Sequence, residues 1–246
     1  MALVTVAERD TDRVPNSGPT VASRTTMVVG KLVQDAALAL RHTLLTSGLL
    51  KEPYGPDAFR EAVARHLTER GPLEAIAQYQ RPPDLQWDDA AYRGDAYATY
   101  AWACYAAAVQ VDLVTYEATV EDFVAVQEVG RVINPVMAAG QIEGGVAQGI
   151  GWALSEDVRW HRGRMANASM TNYIMPTAMD LPPIRVFFQE NPHPAGPGGA
   201  KGIGELPMDG TAPAVLNAVA HALDVQPRQV PLTPERLMEL VEVPRD

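Results

Sequence analysis

The sequence lacks the features that mark several large classes of protein. Its 246 residues include one cysteine, Cys104, which cannot form an internal disulfide or hold an iron–sulfur cluster by itself. The longest apolar run, residues 101–109, is far shorter than the roughly 20 residues of a membrane-spanning helix. We expect this run, and Cys104 within it, to be buried in the core. The N-terminus has neither the basic start nor the long apolar stretch of a signal peptide, so we expect a cytoplasmic protein without membrane contact.

Basic residues and metal-ligand patterns are also scarce. The chain has 20 Lys+Arg against 30 Asp+Glu, which gives a net charge of −10, whereas a nucleic-acid-binding protein usually presents a basic face. The histidines show no metal-ligand spacing: His42, His66, His161, His193 and His221. No Ser–His–Asp or Cys–His signature is recognisable. We therefore expect no nucleic-acid partner and no metal bound by protein side chains.

Helical and strand patterns alternate irregularly along the chain. The periodicity of apolar residues predicts helices at residues 27–48, 56–70, 140–156 and 211–223. It also predicts a hairpin of residues 105–114 and 118–126 around a turn at 115–117, and a further strand at 181–190. Residues 71–95 hold several prolines and acids and are expected to be a surface excursion. Because no repeated βαβ unit is visible, the pattern favours an α+β fold.

Segment 18–26 places hydroxyl side chains directly before the first predicted helix. Hydroxyls and free backbone N–H groups at a helix start can bind a phosphate or another part of a cofactor. The simpler alternative is that Ser23, Thr25 or Thr26 caps the helix, which needs a single hydroxyl. The residues alone favour the cap and leave both interpretations open.

Segment 140–151 carries five glycines in a stretch of helical length. Each glycine inside a helix costs roughly 1 kcal/mol relative to alanine, so several together indicate that something approaches the backbone closely. Either another part of the protein packs there, or a large ligand lies on the backbone. In the second case the Gln141 amide can both donate and accept hydrogen bonds.

Segment 196–207 is rich in glycine but matches no nucleotide-binding motif. Lys201 is not followed by the Ser or Thr of a phosphate-binding loop, and the dinucleotide fingerprint lacks its last glycine. What remains is one carboxylate, Glu205, just ahead of a predicted helix. It is either a solvated surface acid or a general base placed where the backbone leaves room for a substrate.

In their order along the chain, these segments and two others resemble the molybdenum hydroxylase family, which includes xanthine dehydrogenase and aldehyde oxidase. The resemblance rests on residues 17–26, 94–97, 129–135, 140–154 and 201–207. It runs from about Asp10 to about Asp224, which is nearly the whole chain. It implies the family's second molybdenum-cofactor-binding domain, an α+β fold, as a single domain over residues 1–246.

The resemblance also implies roles for individual residues. Glu205 is expected to be the active-site base. The metal is expected to be held by the pterin dithiolene, with no protein atom bound to it. The residues expected to contact the cofactor are Ala22, Ser23, Arg24, Thr25, Gln141, Gly144, Lys201 and Gly202.

The sequence departs from the family's pattern at a few positions. Gln127 and Glu128 stand where relatives commonly have a His-Asp pair. Tyr116 stands where the hairpin turn usually has glycine, and Glu205 is followed by Leu-Pro instead of a double proline. The change at the turn is expected to be structural, whereas the Gln127-Glu128 pair alters the surroundings of the cofactor and leaves the base in place.

The activity implied by the resemblance is oxidation of an electron-poor carbon of a purine-like N-heterocycle, with water as the oxygen source. The alternative within the family is a subunit that oxidises aldehydes. The alternative outside it is a non-catalytic assembly or scaffold subunit. The presence of both Glu205 and Gln141 argues against the scaffold, because a glycine-lined acid without a function is easily lost.

Partner subunits are implied as well, because family members place another molybdenum domain before this one. We expect one subunit that carries this first domain, one that carries iron–sulfur clusters and one that carries FAD, together with a small-molecule substrate. We expect a molybdenum-molybdopterin cofactor, as the mononucleotide or as the cytosine dinucleotide. A naturally split subunit is favoured over a truncated gene product.

Overall fold

The computed structural model describes residues 4–8 and 10–242. These residues form two units, each with its own buried cluster. The first unit runs to Ala98 and takes in Ala195–Pro197, and the second consists of Thr99–Pro194 and the residues from Gly198 onward.

The first unit is built on two helices, α1 (Arg24–Thr46) and α2 (Pro56–Arg70). Helix α2 has the predicted bounds, whereas α1 begins and ends a few residues earlier than predicted. The two helices enclose a small apolar cluster with Leu44, Leu50 and Ala62 at its centre. Residues 71–95 are mostly exposed and contain a short antiparallel pair, β1 (Trp87–Asp88) and β2 (Arg93–Gly94).

The second unit places helices on one face of a three-stranded sheet. Its elements are β3 (Trp102–Val111), β4 (Ala118–Glu128), α3 (Pro135–Leu154), β5 (Trp160–His161), β6 (Arg164–Met165), β7 (Ile184–Phe188), α4 (Leu206–Asp209), α5 (Thr211–Leu223) and α6 (Pro234–Glu242). The order in the sheet is β3-β4-β7, with β4 antiparallel to β3 and parallel to β7. Helices α3 and α5 pack on the sheet around Phe123, Ile142 and Val215, which are all fully buried. The predicted α+β class is confirmed.

The hairpin of β3 and β4 is shorter at its turn than predicted. The Asp112 carboxylate accepts hydrogen bonds from the N–H groups of Thr115 and Val114, and these bonds lower the pKa of Asp112. Such a side-chain turn ends β3 at Val111. Leu113, which the alternating pattern assigned to the strand, therefore lies exposed in the turn.

Cys104 is exposed, and the prediction that it is buried is wrong. In a strand, successive side chains point to opposite faces of the sheet. Tyr105, Ala107 and Val109 point to the helices, so Cys104 points to the other face, opposite Val126 of β4. The apolar run 101–109 contributes alternate residues to the core rather than all of them.

Helix α3 begins earlier than the glycine-rich pattern predicted. The Asn134 side chain accepts a hydrogen bond from the N–H of Met137 at 3.2 Å, and Pro135 occupies the first helical position. An Asn cap followed by proline is a common way to start a helix. Helix α6 was not predicted, and its Leu237 is buried with Val219 and Leu232. Across the described residues, every helix is too short or too polar to span a bilayer.

Candidate functional site

Glu205 stands at the start of α4, and its side chain is exposed. Its backbone carbonyl accepts hydrogen bonds from the N–H groups of Met208 at 3.0 Å and Asp209 at 3.3 Å. Pro207 lies in the first turn of α4 and is buried. The main chain at Glu205 is therefore fixed while its carboxylate remains exposed, as a base that meets a substrate requires.

Two glycines of α3 allow α4 and the start of α5 to approach closely. A Cβ atom at Gly145 would lie 2.5 Å from Pro207 Cγ, and one at Gly149 would lie 2.5 Å from Thr211 Cβ. The Thr211 hydroxyl in turn donates to the Pro207 carbonyl at 2.6 Å. For these two glycines the close-packing interpretation is confirmed.

Two other glycines of α3 have no such contact. A Cβ atom at Gly140 or Gly144 would meet no heavy atom within 4 Å among the described residues. The Gln141 side chain is exposed beside them, and Met137, one turn earlier, is 71% exposed. Residues three and four apart share a helix face, so these four residues form one exposed strip. The strip consists of the Met137 side chain, the Gln141 amide and the uncovered backbone of the two glycines. This strip, Met137–Gly140–Gln141–Gly144, is called the open face of α3.

Strand β3 supplies a contact to α4 that the sequence analysis did not identify. The Tyr105 hydroxyl donates to the Leu206 carbonyl at 2.5 Å. Burial raises the pKa of the phenol, the Gln127 side chain acts in the opposite direction, and the Asp209 carboxylate adds to the rise. The phenol is therefore protonated at neutral pH and remains a donor. The sequence offers one clue to this contact: Tyr105 occupies an inward-facing position of the strand, and a buried tyrosine hydroxyl usually has a hydrogen-bond partner.

The residues that depart from the family's pattern, Gln127 and Glu128, end strand β4. Gln127 is fully buried; its side chain faces the Tyr105 phenol and lowers the pKa of that group, but neither amide atom makes a hydrogen bond of good geometry among the described residues. The Glu128 carboxylate pairs with the Lys201 ammonium at 2.7 Å and accepts a hydrogen bond from the Gly130 N–H at 2.8 Å. The same ammonium donates to the Tyr100 carbonyl at 2.8 Å.

This ion pair gives Lys201 a supporting role. Its ammonium is bonded to Glu128 and Tyr100, and its backbone N–H donates to the Val129 carbonyl at 2.8 Å. The ammonium and the backbone N–H are the two groups with which Lys201 could donate to a cofactor, and both already form hydrogen bonds within the chain. The pair instead fastens the segment that leads to Glu205 onto the end of β4. Gly202, the next residue, is partly buried, and its cofactor contact stays a prediction.

In the first unit, α1 begins without the helix cap that is predicted from Ser23, Thr25 or Thr26. Ser23 precedes α1 in a left-handed conformation, with φ 54°, and its side chain makes no capping hydrogen bond. Ala22 is also left-handed, with φ 50°. The Arg24 guanidinium donates to the carbonyls of residues 17 and 19 and so holds its own loop. The Thr25 hydroxyl is buried and has no hydrogen-bond partner within the described part of the chain. The capping interpretation is wrong.

The predicted site residues are thus divided between the two units. Gln141, Gly144, Lys201, Gly202 and Glu205 belong to the second unit, and Ala22 to Thr25 belong to the first. Within residues 4–8 and 10–242, no three His, Cys, Asp or Glu side chains are grouped so that they could hold a metal ion.

Comparison with known proteins places the chain in a family. A family model described as "Molybdopterin cofactor-binding domain" matches residues 1–182. The chain belongs to this family. The match spans the segment before α1 and continues through α3, so it includes residues of both units.

The molybdopterin cofactor-binding domain is similar to parts of longer proteins. It is 28% identical over 252 residues to the putative xanthine dehydrogenase molybdenum-binding subunit XdhA of Escherichia coli (strain K12), covering 95% of this chain and 33% of that protein. Aldehyde oxidoreductase from Desulfovibrio desulfuricans ATCC 27774 superposes with a TM-score of 0.76 at 30% identity, over 94% of this chain and 24% of that chain. Quinoline 2-oxidoreductase from Pseudomonas putida 86 gives a TM-score of 0.64 at 34% identity, over 77% and 24%. The chain therefore spans about a quarter to a third of the length of these relatives.

The residues present fit a molybdopterin in two places. A pterin presents both donors and acceptors, which the exposed Gln141 amide can match while the bare backbone at Gly140 and Gly144 lets a flat group approach. In the first unit, the buried Thr25 hydroxyl without a described partner is a polar group that a ligand would satisfy.

Proposed function

We propose that this molybdopterin cofactor-binding domain is the catalytic molybdenum subunit of a hydroxylase of the xanthine dehydrogenase type, with Glu205 as its general base. The observation that carries the proposal is the Glu205 carboxylate, exposed at the start of α4 on a main chain held by hydrogen bonds and by close packing against α3.

Glu205 acts by accepting a proton at a carboxylate oxygen as the new carbon–oxygen bond forms. The bound cofactor supplies the redox chemistry, and the domain supplies orientation and the base. A positioned base contributes about 10²- to 10⁴-fold in rate. Gln141 binds and orients the cofactor from the open face of α3, where its amide can both donate and accept.

The variant Glu205→Gln tests the role of the base. It keeps the size and polarity of the side chain, but an amide accepts no proton at neutral pH. Turnover of the assembled enzyme should fall by at least about 10², while molybdenum content stays near normal. The matched control is Asp209→Asn, which removes an exposed acid from the same short helix and should leave turnover near normal. Full activity of Glu205→Gln would refute the base and would favour a non-catalytic scaffold.

The open face of α3 is tested by Gln141→Ala. Loss of the amide should lower the molybdenum occupancy of the complex more than it affects proton transfer. Metal analysis of the purified complex measures this directly. Normal occupancy and an unchanged cofactor spectrum would remove Gln141 from the cofactor site.

The proposed substrate is an N-heterocycle of the purine type, oxidised at an electron-poor carbon with water as the oxygen source. The identity of 34% to a protein named quinoline 2-oxidoreductase supports an N-heterocycle. The identity of 30% to a protein named aldehyde oxidoreductase makes aldehydes the second candidate. Steady-state kinetics with purines, quinoline and aromatic aldehydes decides between them, because the substrate class with the highest kcat/KM identifies the activity.

We further propose partners: a subunit with the first molybdenum domain, an iron–sulfur subunit and a flavin subunit. The support is that the similar protein of Escherichia coli is itself named a molybdenum-binding subunit. The chain expressed alone should be free of molybdenum, whereas co-expression with the first-domain subunit should give about one molybdenum per copy. The co-expressed proteins should also form a complex that does not dissociate on dilution, because permanent complexes often bury about 2,000 Å² or more. Stoichiometric molybdenum in the lone chain would contradict this. Nucleotide analysis of the released cofactor identifies the proposed cytosine dinucleotide form.

A further inference from the structure

The Tyr105 side chain lies against both ends of α4. Its hydroxyl donates to the carbonyl of Leu206, the residue that directly follows Glu205. At the other end, a Cβ atom at Gly210 would overlap the Tyr105 ring. The ring packs within the core cluster of the second unit beside Phe123, so it is anchored on the sheet rather than on α4.

Two other contacts also hold α4. Pro207 packs on Gly145 of α3, and the Thr211 hydroxyl holds the Pro207 carbonyl. These contacts fix the body of the helix. The Tyr105 hydroxyl holds the carbonyl of Leu206, whose N–H and Cα directly follow Glu205, so a rotation of the main chain at Leu206 would redirect the Glu205 side chain.

We propose that Tyr105 is a positioning residue for Glu205. By holding the Leu206 carbonyl, its hydroxyl sets the direction in which the Glu205 carboxylate is presented. The inference rests on the proposed role of Glu205 as the base. A base works within hydrogen-bond distance of the proton that it accepts, and a displacement of about 1 Å can cost about 10²-fold in rate.

The variant Tyr105→Phe removes the hydroxyl and keeps the ring against Gly210. In the assembled enzyme, kcat and kcat/KM should fall together by about 10- to 100-fold, with KM and molybdenum content unchanged, because positioning of a base acts in the transition state alone. A second variant, Gly210→Ala, displaces the ring while the hydroxyl is retained, and it should lower kcat in the same way.

Hydrogen exchange in the full chain provides a readout that needs no activity. The N–H groups of Met208 and Asp209, which bond to the Glu205 carbonyl, should exchange up to about 10-fold faster in Tyr105→Phe. That factor corresponds to the loss of one neutral hydrogen bond. The amides of Val215 and Val219 in the core of α5 should exchange at unchanged rates.

The matched control is Tyr116→Phe, on the same hairpin, whose hydroxyl donates to the Glu242 carboxylate at 2.9 Å. It should change neither kcat nor exchange at α4. Normal kcat and normal exchange in Tyr105→Phe, with Glu205→Gln inactive, would refute positioning and leave the base in place. A rise in KM, a loss of molybdenum or faster exchange throughout α5 would show a general structural role and also overturn the inference. An active Glu205→Gln would remove the base, and with it the role of Tyr105.

Discussion

Replacement of Lys201 by methionine removes one member of a shielded ion pair. The side chains of Lys201 and Glu128 are 6% and 11% exposed, and their charged atoms are 2.7 Å apart. Methionine has a similar length and fills the same space without a charge. The Glu128 carboxylate would keep the hydrogen bond from the Gly130 N–H and lose its counter-charge. The Tyr100 carbonyl would lose its donor.

The expected cost follows from this geometry. At 2.7 Å and an effective dielectric constant of about 20, the attraction between the charges is about 6 kcal/mol, and desolvation of both groups offsets part of it. Removing one member of such a pair leaves an uncompensated charge, which typically costs about 3–5 kcal/mol. We therefore expect Lys201→Met to lower the free energy of unfolding by that amount. Neutralising the other member with Glu128→Gln in the same chain should restore at least about 1 kcal/mol, because no buried charge is left unpaired.

Urea unfolding of the second unit, followed by tryptophan fluorescence, measures these differences. The control is Arg185→Met, which breaks the exposed pair between Arg185 of β7 and Asp122 of β4 and should cost less than about 1 kcal/mol. If Lys201→Met cost no more than Arg185→Met, or if Glu128→Gln destabilised the double variant further, the ion pair would not be what fastens the Glu205 segment.

Four further variants test local features. Gln127→Leu should raise the free energy of unfolding by about 1–2 kcal/mol in urea unfolding, because it removes a buried amide that makes no hydrogen bond of good geometry among the described residues; a loss would show that its contact with the Tyr105 hydroxyl satisfies the amide. Burial, and secondly Lys201, lower the pKa of His193 below the 6.5 of the unfolded chain. The unfolded chain thus binds the proton more tightly, so stability should fall as the pH drops below about 6.5, and His193→Gln should lose less; equal pH profiles would refute this. Gly144→Ala should raise the thermal midpoint of the lone chain, with a gain of about 0.5–1 kcal/mol, and should lower the molybdenum content of the complex. Gly145→Ala should destabilise the chain, because the added methyl group overlaps Pro207. A stabilising Gly145→Ala and a destabilising Gly144→Ala would contradict the packing of α3.

Elements with a strong periodic pattern were predictable from the sequence. Helix α2 and helix α5 have the predicted bounds, and the β3–β4 hairpin was placed within a few residues. The turn was misplaced because the Asp112 side chain ends β3, a contact that competes with strand alternation. Helix α6 escaped prediction because it has only nine residues, four of them charged, and because the tertiary burial of Leu237 stabilises it.

The candidate site was predictable in its residue types and less so in its contacts. Glu205, Gln141 and the unusual glycines could be named because acids, amides and bare backbone are chemically distinctive. The supporting residue Tyr105 is about a hundred positions away along the chain and joins Leu206 through folding alone. No local pattern links two such positions, because the pairing depends on how β3 passes beneath α4.

Gly144 and Gly145 separate what the sequence determined from what the tertiary structure decided. The sequence established that α3 carries too many glycines for a plain helix, since each one costs stability that must be recovered elsewhere. Two adjacent glycines point in directions about 100° apart around a helix axis, and the sequence cannot tell which one meets a neighbour. The fold places Pro207 against Gly145 and leaves Gly144 open. In the same way, a lysine beside glycines could have faced a ligand, and the tertiary structure decided that it faces Glu128, because a charge removed from water needs an opposite charge close by.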